Sequence, residues 1–464
     1  MATSAFNRRV FVLGGHCTRF IGKGHPDFVH LKHPDFGKRE NPTLEEYITK
    51  AVNGAFDSTG VAAEQVQKAF IGNFAGELFS KQGHLGAALV GSHPGLRHVP
   101  SYRVEGACAS GGLAFAAATD AIQAGADVVL VAGAEVQNTV SPRQGGDFLA
   151  VASHYAKQRQ IDDFTFPALF AQRIKAYQEK WGVSFEDISR VSVKAYKNAN
   201  LNDNAHMHHI KMSLENAATV SNKNPNFLSN PDLHPFLRVS DCSQVSDGGA
   251  AMILVSEAGL EKLGKNKSDC VEALVAQVCT DNLYKGGDPT KMENTTVAAA
   301  RAYEATRTDA NAMGVAEVHD CFTMAEILMY EALGFARHGE GCATVAQGKF
   351  ELDGDVPVNT GGGLIAYGHP VGATGVKQVL EIHSQMKGKA GNYQVCAVVP
   401  PRLTGPRLRK LLSSASLPSM SPPNCLLSFF SHSAQHGRRR QDKCGRHFPE
   451  LVSSVQSPIN SKKK

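Results

Sequence analysis

Short apolar runs and longer amphipathic stretches alternate along the first part of the chain. Residues 10–13 form an apolar run that predicts a strand ending at the glycine pair that follows. Apolar residues recur at helical spacing over 44–55, which predicts a helix that stops at Gly60. A second strand is predicted at 68–72. The chain therefore begins with a strand, helix, strand order.

A glycine-rich segment at 106–112 leads into an alanine-rich stretch that ends at Gly125 and then into the apolar run 128–133. A strand, a helix and a strand of this length are typical of a parallel sheet with crossover helices. The run 250–256 predicts a strand that resumes the same sheet. We therefore expect an N-terminal α/β half over residues 1–137 and 241–265.

The pattern changes between residues 138 and 240. Helices are predicted near 166–182 and 185–202, followed by polar stretches rich in Asn and His. We interpret this segment as a loop domain inserted into the first half.

The second half, 266–400, repeats the order seen in the first. A glycine-rich loop over 361–375 precedes a helix to about Lys387, and the apolar run 395–399 predicts a strand over 394–399. This order matches that of residues 106–133. Two related α/β halves are the expected architecture.

The last 64 residues differ in composition from the rest. They contain 12 serines and 7 prolines, and their 12 Lys/Arg against 2 Asp/Glu give a net charge of +10. The chain as a whole carries +5, so the preceding 400 residues carry −5. We predict that 401–464 is a disordered basic tail, and the acidic body excludes a nucleic-acid-binding protein.

Composition narrows the class of protein further. Apolar residues make up 42% of the chain and charged residues 20%, without an uncharged apolar run of about 18 residues, so no membrane span is expected. Ten cysteines without a CxxC pair indicate a reducing compartment rather than a disulfide framework or a zinc module.

Targeting signals are weak. The chain opens without a secretory signal, so we expect that the protein is not secreted. Residues 9–16 approach a peroxisomal N-terminal address, but Cys17 disrupts its last position and the strand interpretation is preferred. The chain ends in three lysines instead of a peroxisomal tripeptide.

Cys108 is the first candidate for chemistry. Small residues surround it and a predicted helix follows, so its sulfur is expected near a helix N-terminus, which lowers a thiol pKa and favours the nucleophilic thiolate. The alternative is a small buried hydrophobic residue, which is the usual role of a cysteine.

His369 lies between Gly368 and Pro370 in the second-half loop, the counterpart of the loop that carries Cys108. A structural histidine in a turn is the alternative. If the two halves are related, the loops meet at the ends of adjacent strands. A cysteine beside a histidine general base is the minimal arrangement for an activated thiol.

A third candidate segment is His319-Asp320-Cys321. One His and one Cys two residues apart do not complete a four-ligand metal site, and we expect a second acid or base near Cys108 instead. The histidines of 206–209 lie in a polar stretch and are interpreted as a solvated surface.

Four segments together resemble the thiolase superfamily: 104–111 around Cys108, 240–250, His319-Asp320-Cys321-Phe322, and the glycine-rich loop 361–375. They occur in the family's order over about residues 8–395. The His-Asp-Cys-Phe version, in place of Asn-Glu-Ala-Phe, is similar to the sterol-carrier-protein-x type of 3-ketoacyl-CoA thiolase.

The resemblance implies a thiolase fold and a role for each motif residue. Cys108 would accept the acyl group, His369 would take its proton, Cys321 would be the second acid/base, and His319 would line the oxyanion site. Substrate contacts would come from Ser243, Gly363 and Gly368. The substrates would be acyl-CoA and CoA, without a metal or redox cofactor. A homodimer or homotetramer in mitochondria or peroxisomes is expected.

The ending departs from the family pattern. Thiolases follow the His369-type loop with a helix and two further strands joined by a glycine-rich turn that completes an oxyanion hole, whereas this chain has at most the strand at 394–399. Two alternatives therefore stay open. One is a decarboxylating condensing enzyme that uses Cys108, His319 and His369. The other is a catalytically impaired thiolase-like protein that binds acyl-CoA.

Overall fold

A single mixed sheet organises the molecule. The computed structural model describes residues 2–284 and 286–395, together with the backbone of 426–432. Seven strands in these residues lie in the order β3-β2-β4-β5-β1-β6-β7. They are β1 (Val10–Cys17), β2 (Lys68–Gly72), β3 (Ser101–Val104), β4 (Val128–Glu135), β5 (Gly248–Ser256), β6 (Val271–Thr280) and β7 (Leu426–His432).

Helices surround the sheet on both faces. Those of the described residues are α1 (Leu44–Thr59), α2 (Gly76–Phe79), α3 (Leu85–Gly91), α4 (Ser110–Gln123), α5 (Pro142–Ala150), α6 (Tyr155–Gln158), α7 (Thr165–Trp181), α8 (Phe185–Ala199), α9 (Leu214–Ala218), α10 (Glu257–Lys262), α11 (Glu293–Thr306), α12 (Thr323–Ala332), α13 (Gly341–Ala346) and α14 (Val371–Met386). No helix among the described residues has the length and apolar character needed to cross a bilayer.

The parallel sheet predicted for the first half is confirmed for its core. Strand β2 pairs in parallel with both β3 and β4, and α4 forms the crossover between β3 and β4. Strand β5 is antiparallel to its two neighbours, β4 and β1. The carboxyl ends of β2, β3 and β4 therefore meet at one edge, which is where ligands bind in open α/β sheets.

Strand β1 is longer than its sequence predicts. Instead of ending at the glycine pair, it continues to Cys17 and shifts its register against β5 between Val12 and Gly14. One extra residue, Leu13, is accommodated there as a bulge. The prediction of a turn was wrong because a paired strand with a bulge uses the same glycines that a turn would.

Alternate residues of the strands point to different helical layers. On one face, side chains such as Phe11, Ile71 and Leu130 pack against α1 and α3. On the other face, side chains such as Val12, Val131 and Met252 pack with α4 and α14. Strands buried on both faces read as continuous apolar runs, as the sequence shows.

Helices α4 and α14 approach each other closely through glycine. A Cβ atom on Gly375 would lie 2.3 Å from the backbone nitrogen of Gly112, and a Cβ on Gly111 would lie 2.7 Å from the carbonyl oxygen of Gly372. Only glycine permits this backbone contact. These two helices follow the two glycine-rich loops predicted to correspond, so the contact brings the loops together.

The second half contributes β6, an isolated parallel β-bridge between Ala316 and Val358, and the helices from α11 to α14. Strand β6 joins the first half by an antiparallel pairing with β1 over three residues, Val271 to Ala273. The predicted strand at 394–399 lies outside the described residues from 396 onward. The predicted α/β class is confirmed by the mixed sheet and the helices that flank it.

The prediction of a tail without structure was wrong for seven residues. Leu426–His432 forms strand β7, parallel to β6. This is the apolar stretch of the tail, Leu-Leu-Ser-Phe-Phe, and β6 offers it a row of backbone donors and acceptors. The rest of 401–464 lies outside the described residues.

The inserted segment is helical, as predicted. Helices α7 and α8 match the helices predicted at 166–182 and 185–202 to within a few residues at each end. They share a hydrophobic core with α12 and α13 of the second half. The exact limits of the loop domain, 138–240, and of the two halves stay predictions.

Candidate active site

Cys108 lies in a tight turn between β3 and α4. The preceding residue, Ala107, has a φ of +48°, which is the left-handed region. The Ser110 hydroxyl donates to the Ala107 carbonyl (2.6 Å) and accepts from the Gly106 amide (3.0 Å). These bonds hold the half-buried Cys108 at the N-terminal end of α4.

His369 follows a π-helical turn, Gly363–Tyr367, and precedes α14. Gly368 has a φ of +116°, and a Cβ there would lie 2.4 Å from the Ser246 hydroxyl oxygen. The Gln137 amide donates to the His369 carbonyl at 2.8 Å. This backbone framework fixes where the imidazole points.

The imidazole is oriented by a hydroxyl. Nδ1 of His369 lies 2.7 Å from Oγ1 of Thr374, and the same hydroxyl donates its proton to the Pro370 carbonyl at 3.0 Å. Oγ1 therefore accepts from Nδ1–H, which leaves the lone pair on Nε2. Within the described residues, Nε2 is buried and has no hydrogen-bond partner.

The third predicted segment connects to the other two. The Asp320 carboxylate accepts from the amides of Leu364 (2.7 Å) and Ile365 (3.2 Å), so it anchors the π-helical turn that precedes His369. The Cys321 carbonyl accepts from the amide of the half-buried Ser243 at 2.9 Å. His319 and Cys321 flank Asp320 and share its fixed position.

Three of the four candidate catalytic residues converge on one point. The sulfur of Cys108 and ring nitrogens of His319 and His369 lie within 4.8 Å of one another. The two imidazole rings are nearly perpendicular, with centroids 5.1 Å apart. Cys321 is close enough for Cys108 to affect its pKa. The catalytic roles of these residues stay predictions.

Burial sets the protonation of the site. It raises the pKa of the Cys108 thiol to about 12, and the Glu135 carboxylate adds to the rise. It lowers the pKa of His319 to about 4 and, with the neighbouring His319, holds the pKa of His369 well below its ordinary value. The pKa of Cys321 is also raised by burial.

The sequence-based expectation of a lowered Cys108 pKa was therefore wrong. A helix N-terminus favours the thiolate, but desolvation in this site opposes it more strongly. In the resting site the thiol and both imidazoles are neutral. A nucleophile of this kind needs a base that removes its proton as it attacks.

Sequence reasoning missed Glu135. This carboxylate ends β4, is 1% exposed, and accepts from the amides of Phe74 (2.9 Å), Ala75 (3.1 Å) and Gly372 (3.1 Å). It thus ties the β2 edge to the start of α14, and burial raises its pKa to about 7. An acidic residue directly after the buried run 128–134 is the signal that would have found it.

The histidine cluster at 206–209 is only partly a solvated surface. His206 is fully buried, and its Nδ1 lies 2.9 Å from the Ser246 hydroxyl, which also accepts from the His369 amide at 3.3 Å. His209 is exposed, as predicted. The prediction was wrong for His206 because its polar neighbours in sequence do not reveal the contact with Ser246.

Comparisons with known proteins agree with this geometry. The family described as thiolase, N-terminal domain, matches residues 33–258, and the thiolase C-terminal domain-like family matches 276–399. The acetyl-CoA acetyltransferase of Methanothermobacter thermautotrophicus is 35% identical over 369 residues, which are 79% of this chain and 92% of that protein. Human sterol carrier protein 2 is 29% identical over 84% of this chain and 68% of its own length.

Two solved structures share the fold. Human mitochondrial 3-ketoacyl-CoA thiolase in complex with CoA has a TM-score of 0.60 and 18% identity, over 84% of this chain and 94% of that one. The Ltp2–ChsH2(DUF35) aldolase has a TM-score of 0.64 and 21% identity, over 83% and 92%. The chain therefore belongs to the thiolase superfamily, as an acyltransferase similar to the sterol-carrier-protein-x type.

Proposed function

We propose that the protein transfers acyl groups between 3-ketoacyl-CoA and CoA through a thioester on Cys108. The observation that carries this proposal is the convergence of Cys108, His319 and His369 from three separate segments, with Cys321 near enough to Cys108 to feel its charge. The chemistry needs no metal or redox cofactor, because CoA and acyl-CoA are the only reactants.

In the first step, Nε2 of His369 takes the Cys108 proton as the sulfur attacks the 3-keto carbon. The unpartnered lone pair on Nε2 is in the protonation state that this base requires. The C2–C3 bond then breaks, which leaves the acyl group on sulfur and places the electron pair on C2 of the departing acetyl-CoA unit.

Cys321 would complete the proton balance. Its neutral thiol, whose pKa is raised by desolvation, donates a proton to C2, and acetyl-CoA leaves. The Cys321 thiolate then takes the proton of the incoming CoA thiol, whose sulfur attacks the acyl carbon and frees Cys108. His369 returns its proton to Cys108, so the site ends as it began.

The remaining candidates would bind rather than react. Nε2 of His319 is buried without a partner among the described residues and would donate to the oxyanion of the tetrahedral intermediate. Ser243 is held beside Cys321 and would contact the pantetheine arm of CoA. Gly363 and Gly368 bracket the turn before His369 and would contact the substrate through their backbone atoms.

An intact-mass experiment tests the acyl-enzyme. Acetoacetyl-CoA without free CoA should leave one acetyl group per chain, mapped by peptide digestion to Cys108, and release one equivalent of acetyl-CoA. Cys108→Ser should show neither product. Cys321→Ala should still accept acetyl from acetyl-CoA but should lose cleavage of acetoacetyl-CoA, because C2 no longer receives a proton.

The same experiment separates the alternatives. A decarboxylating condensing enzyme would release carbon dioxide from malonyl-CoA and would not need Cys321. An impaired acyl-CoA-binding protein would bind CoA in calorimetry but give no mass increase. The second alternative would be established if the folded wild-type chain stays unmodified at saturating acetoacetyl-CoA.

We also propose a homodimer or homotetramer. Strand β3 is the outer strand of the sheet and leads directly into the Cys108 turn, and Tyr102 on it is 52% exposed. An exposed sheet edge favours pairing with a second copy. A mitochondrial or peroxisomal location is the matching proposal for the compartment, supported by the name of the human mitochondrial thiolase that shares the fold.

A further inference from the structure

The three atoms that converge in the active site also form a set of metal ligands. The Cys108 sulfur and the nitrogens of His319 and His369 lie within 4.8 Å of one another. His369 is 8% exposed, and Nε2 of both histidines is buried without a hydrogen-bond partner among the described residues. An unpartnered buried nitrogen costs free energy that a ligand would recover.

We propose that Cys108, His319 and His369 bind a zinc ion in the resting protein and that this ion blocks the nucleophile. The ligands are the same residues that the proposed reaction uses, so the blocking effect rests on the proposed function, whereas binding of the ion can be measured without turnover. It adds an inhibitory site to a chemistry that uses no metal.

The donor types select the ion. One thiolate and two neutral imidazoles suit Zn²⁺ and its substitute Co²⁺, whereas Mg²⁺ and Ca²⁺ require oxygen ligands. Three protein ligands with an open fourth position are typical of accessible zinc sites. Cys108 is half-buried, so a water or solute can occupy that position.

The distances are compatible with binding after a small closure. Zinc bonds of about 2.3 Å to sulfur and about 2.0 Å to nitrogen place tetrahedral ligands roughly 3.5 Å apart. The ligand atoms are therefore up to about 1.3 Å further apart than in a site with zinc bound. Side-chain rotations of Cys108 and His319 would supply the closure while His369 stays fixed.

The surroundings already orient one ligand. The Nδ1–H of His369 is donated to Thr374, which directs Nε2 toward the cluster. Metal-binding histidines typically donate their second nitrogen in this way. On binding, the Cys108 proton leaves to the buffer and a sulfur–zinc bond forms, without any change of oxidation state.

The ion would block the reaction because it binds the electron pairs that the reaction uses. The sulfur lone pair that would attack the keto carbon and the Nε2 lone pair that would take the proton are both used by the ion. A chain with a metal on Cys108 therefore cannot carry an acyl group there. The ion and the acyl group would exclude each other.

Cobalt titration of the full-length, metal-free protein under anaerobic conditions tests the site directly. We expect one Co²⁺ per chain with a near-ultraviolet sulfur-to-cobalt charge-transfer band and tetrahedral visible bands, both displaced by one equivalent of Zn²⁺. Cys108→Ser should lose the charge-transfer band, and His319→Asn should bind at least tenfold more weakly, since even outer partners of a metal site cost about 10–100-fold.

His209→Asn is the matched control, because His209 is an exposed member of the other histidine cluster. It should bind like the wild type, and circular dichroism should show that every variant is folded. Binding without a sulfur band, or equal binding by Cys108→Ser and the wild type, would refute the site. Loss of binding in His209→Asn would place the metal elsewhere. If the protein binds no metal but still becomes acetylated on Cys108, the zinc proposal is refuted and the proposed acyl transfer stands.

Discussion

At the scale of single residues, proton positions decide what the site does. Cys108 is a nucleophile that burial keeps protonated, so its reactivity depends on a base with an available lone pair. His369 has that lone pair because Thr374 accepts its other ring proton while donating to Pro370. Thr374 thus acts through His369, as a positioning residue.

Removing the Thr374 hydroxyl tests that role. Thr374→Val keeps the side-chain shape but leaves the Nδ1–H of His369 unsatisfied, at a cost of about 1–3 kcal/mol that favours the other tautomer. We expect kcat to fall by about 10²-fold, the lower end for loss of a general base, with KM nearly unchanged. Steady-state thiolysis of acetoacetyl-CoA measures both.

Thr374→Ser is the matched control because it retains the hydroxyl. It should keep most of the wild-type kcat, and both variants should melt within a few degrees of the wild type. A similar loss of kcat in the two variants would indicate a packing role for the methyl group. Equal changes in KM and kcat for Thr374→Val would also contradict the tautomer argument.

At the scale of elements, the contact between α4 and α14 unites the two halves of the site. Each helix begins just after one candidate residue, Cys108 or His369, and the contact occurs within the first turns. Asp320, which lies between α11 and α12, adds a second connection because its carboxylate accepts hydrogen bonds from the turn before His369. The site therefore depends on element packing as much as on its own side chains.

Adding one methyl group at the helix contact tests this dependence. Gly375→Ala would place a Cβ 2.3 Å from the Gly112 nitrogen, so the helices must separate. Overpacking of this kind costs about 1–3 kcal/mol, and the shift would also move His369 away from Cys108. Urea unfolding should show the lower stability, and acetylation of Cys108 should slow.

Gly91→Ala is the comparison for this substitution. Gly91 ends α3, and a Cβ there would meet nothing within 4 Å. Its stability should equal or slightly exceed that of the wild type, because alanine favours a helix over glycine. If Gly375→Ala is as stable and as active as Gly91→Ala, the close contact is not needed.

At the scale of the whole molecule, Asp127 joins segments that are far apart in sequence. It lies just before β4 and accepts hydrogen bonds from the side chains of Lys262 on α10, Ser256 at the end of β5 (2.6 Å) and Arg8 before β1 (2.7 Å). These bonds lower its pKa to about 2, with Lys262 the largest contributor. One carboxylate thus connects β1, β4 and β5.

The lowered pKa predicts how stability depends on pH. The folded pKa is below the ordinary value of about 3.9, so the stabilisation is present above pH 4 and is lost as the pH falls towards 2. Asp127→Asn should lower the free energy of unfolding by about 1–2 kcal/mol at pH 7, with a smaller difference near pH 3. Urea titrations at the two pH values give both quantities.

The exposed carboxylate of Asp232 supplies the control. Asp232→Asn should change the free energy of unfolding by less than about 0.5 kcal/mol at either pH, as surface substitutions usually do. A loss for Asp127→Asn that is independent of pH would mean that its shape matters and its charge does not.

The sequence by itself determined the local elements and the chemical candidates. Apolar runs located β2, β4 and β5, and four motifs in family order located Cys108, the 319–321 segment and His369, because these signals are contained in a few neighbouring residues. The same local signals mispredicted the end of β1 and the structure of 426–432, where a partner strand decides the outcome.

Only the tertiary structure decided the state of the site. Desolvation by residues distant in sequence raises the pKa of Cys108 and lowers that of His369, which reverses the expectation from the helix N-terminus. The contacts of Glu135, of Thr374 with His369, and of His206 with Ser246 likewise depend on packing. Burial and hydrogen bonding are properties of an environment that the folded chain creates from separate segments, and a residue's neighbours in sequence do not specify it.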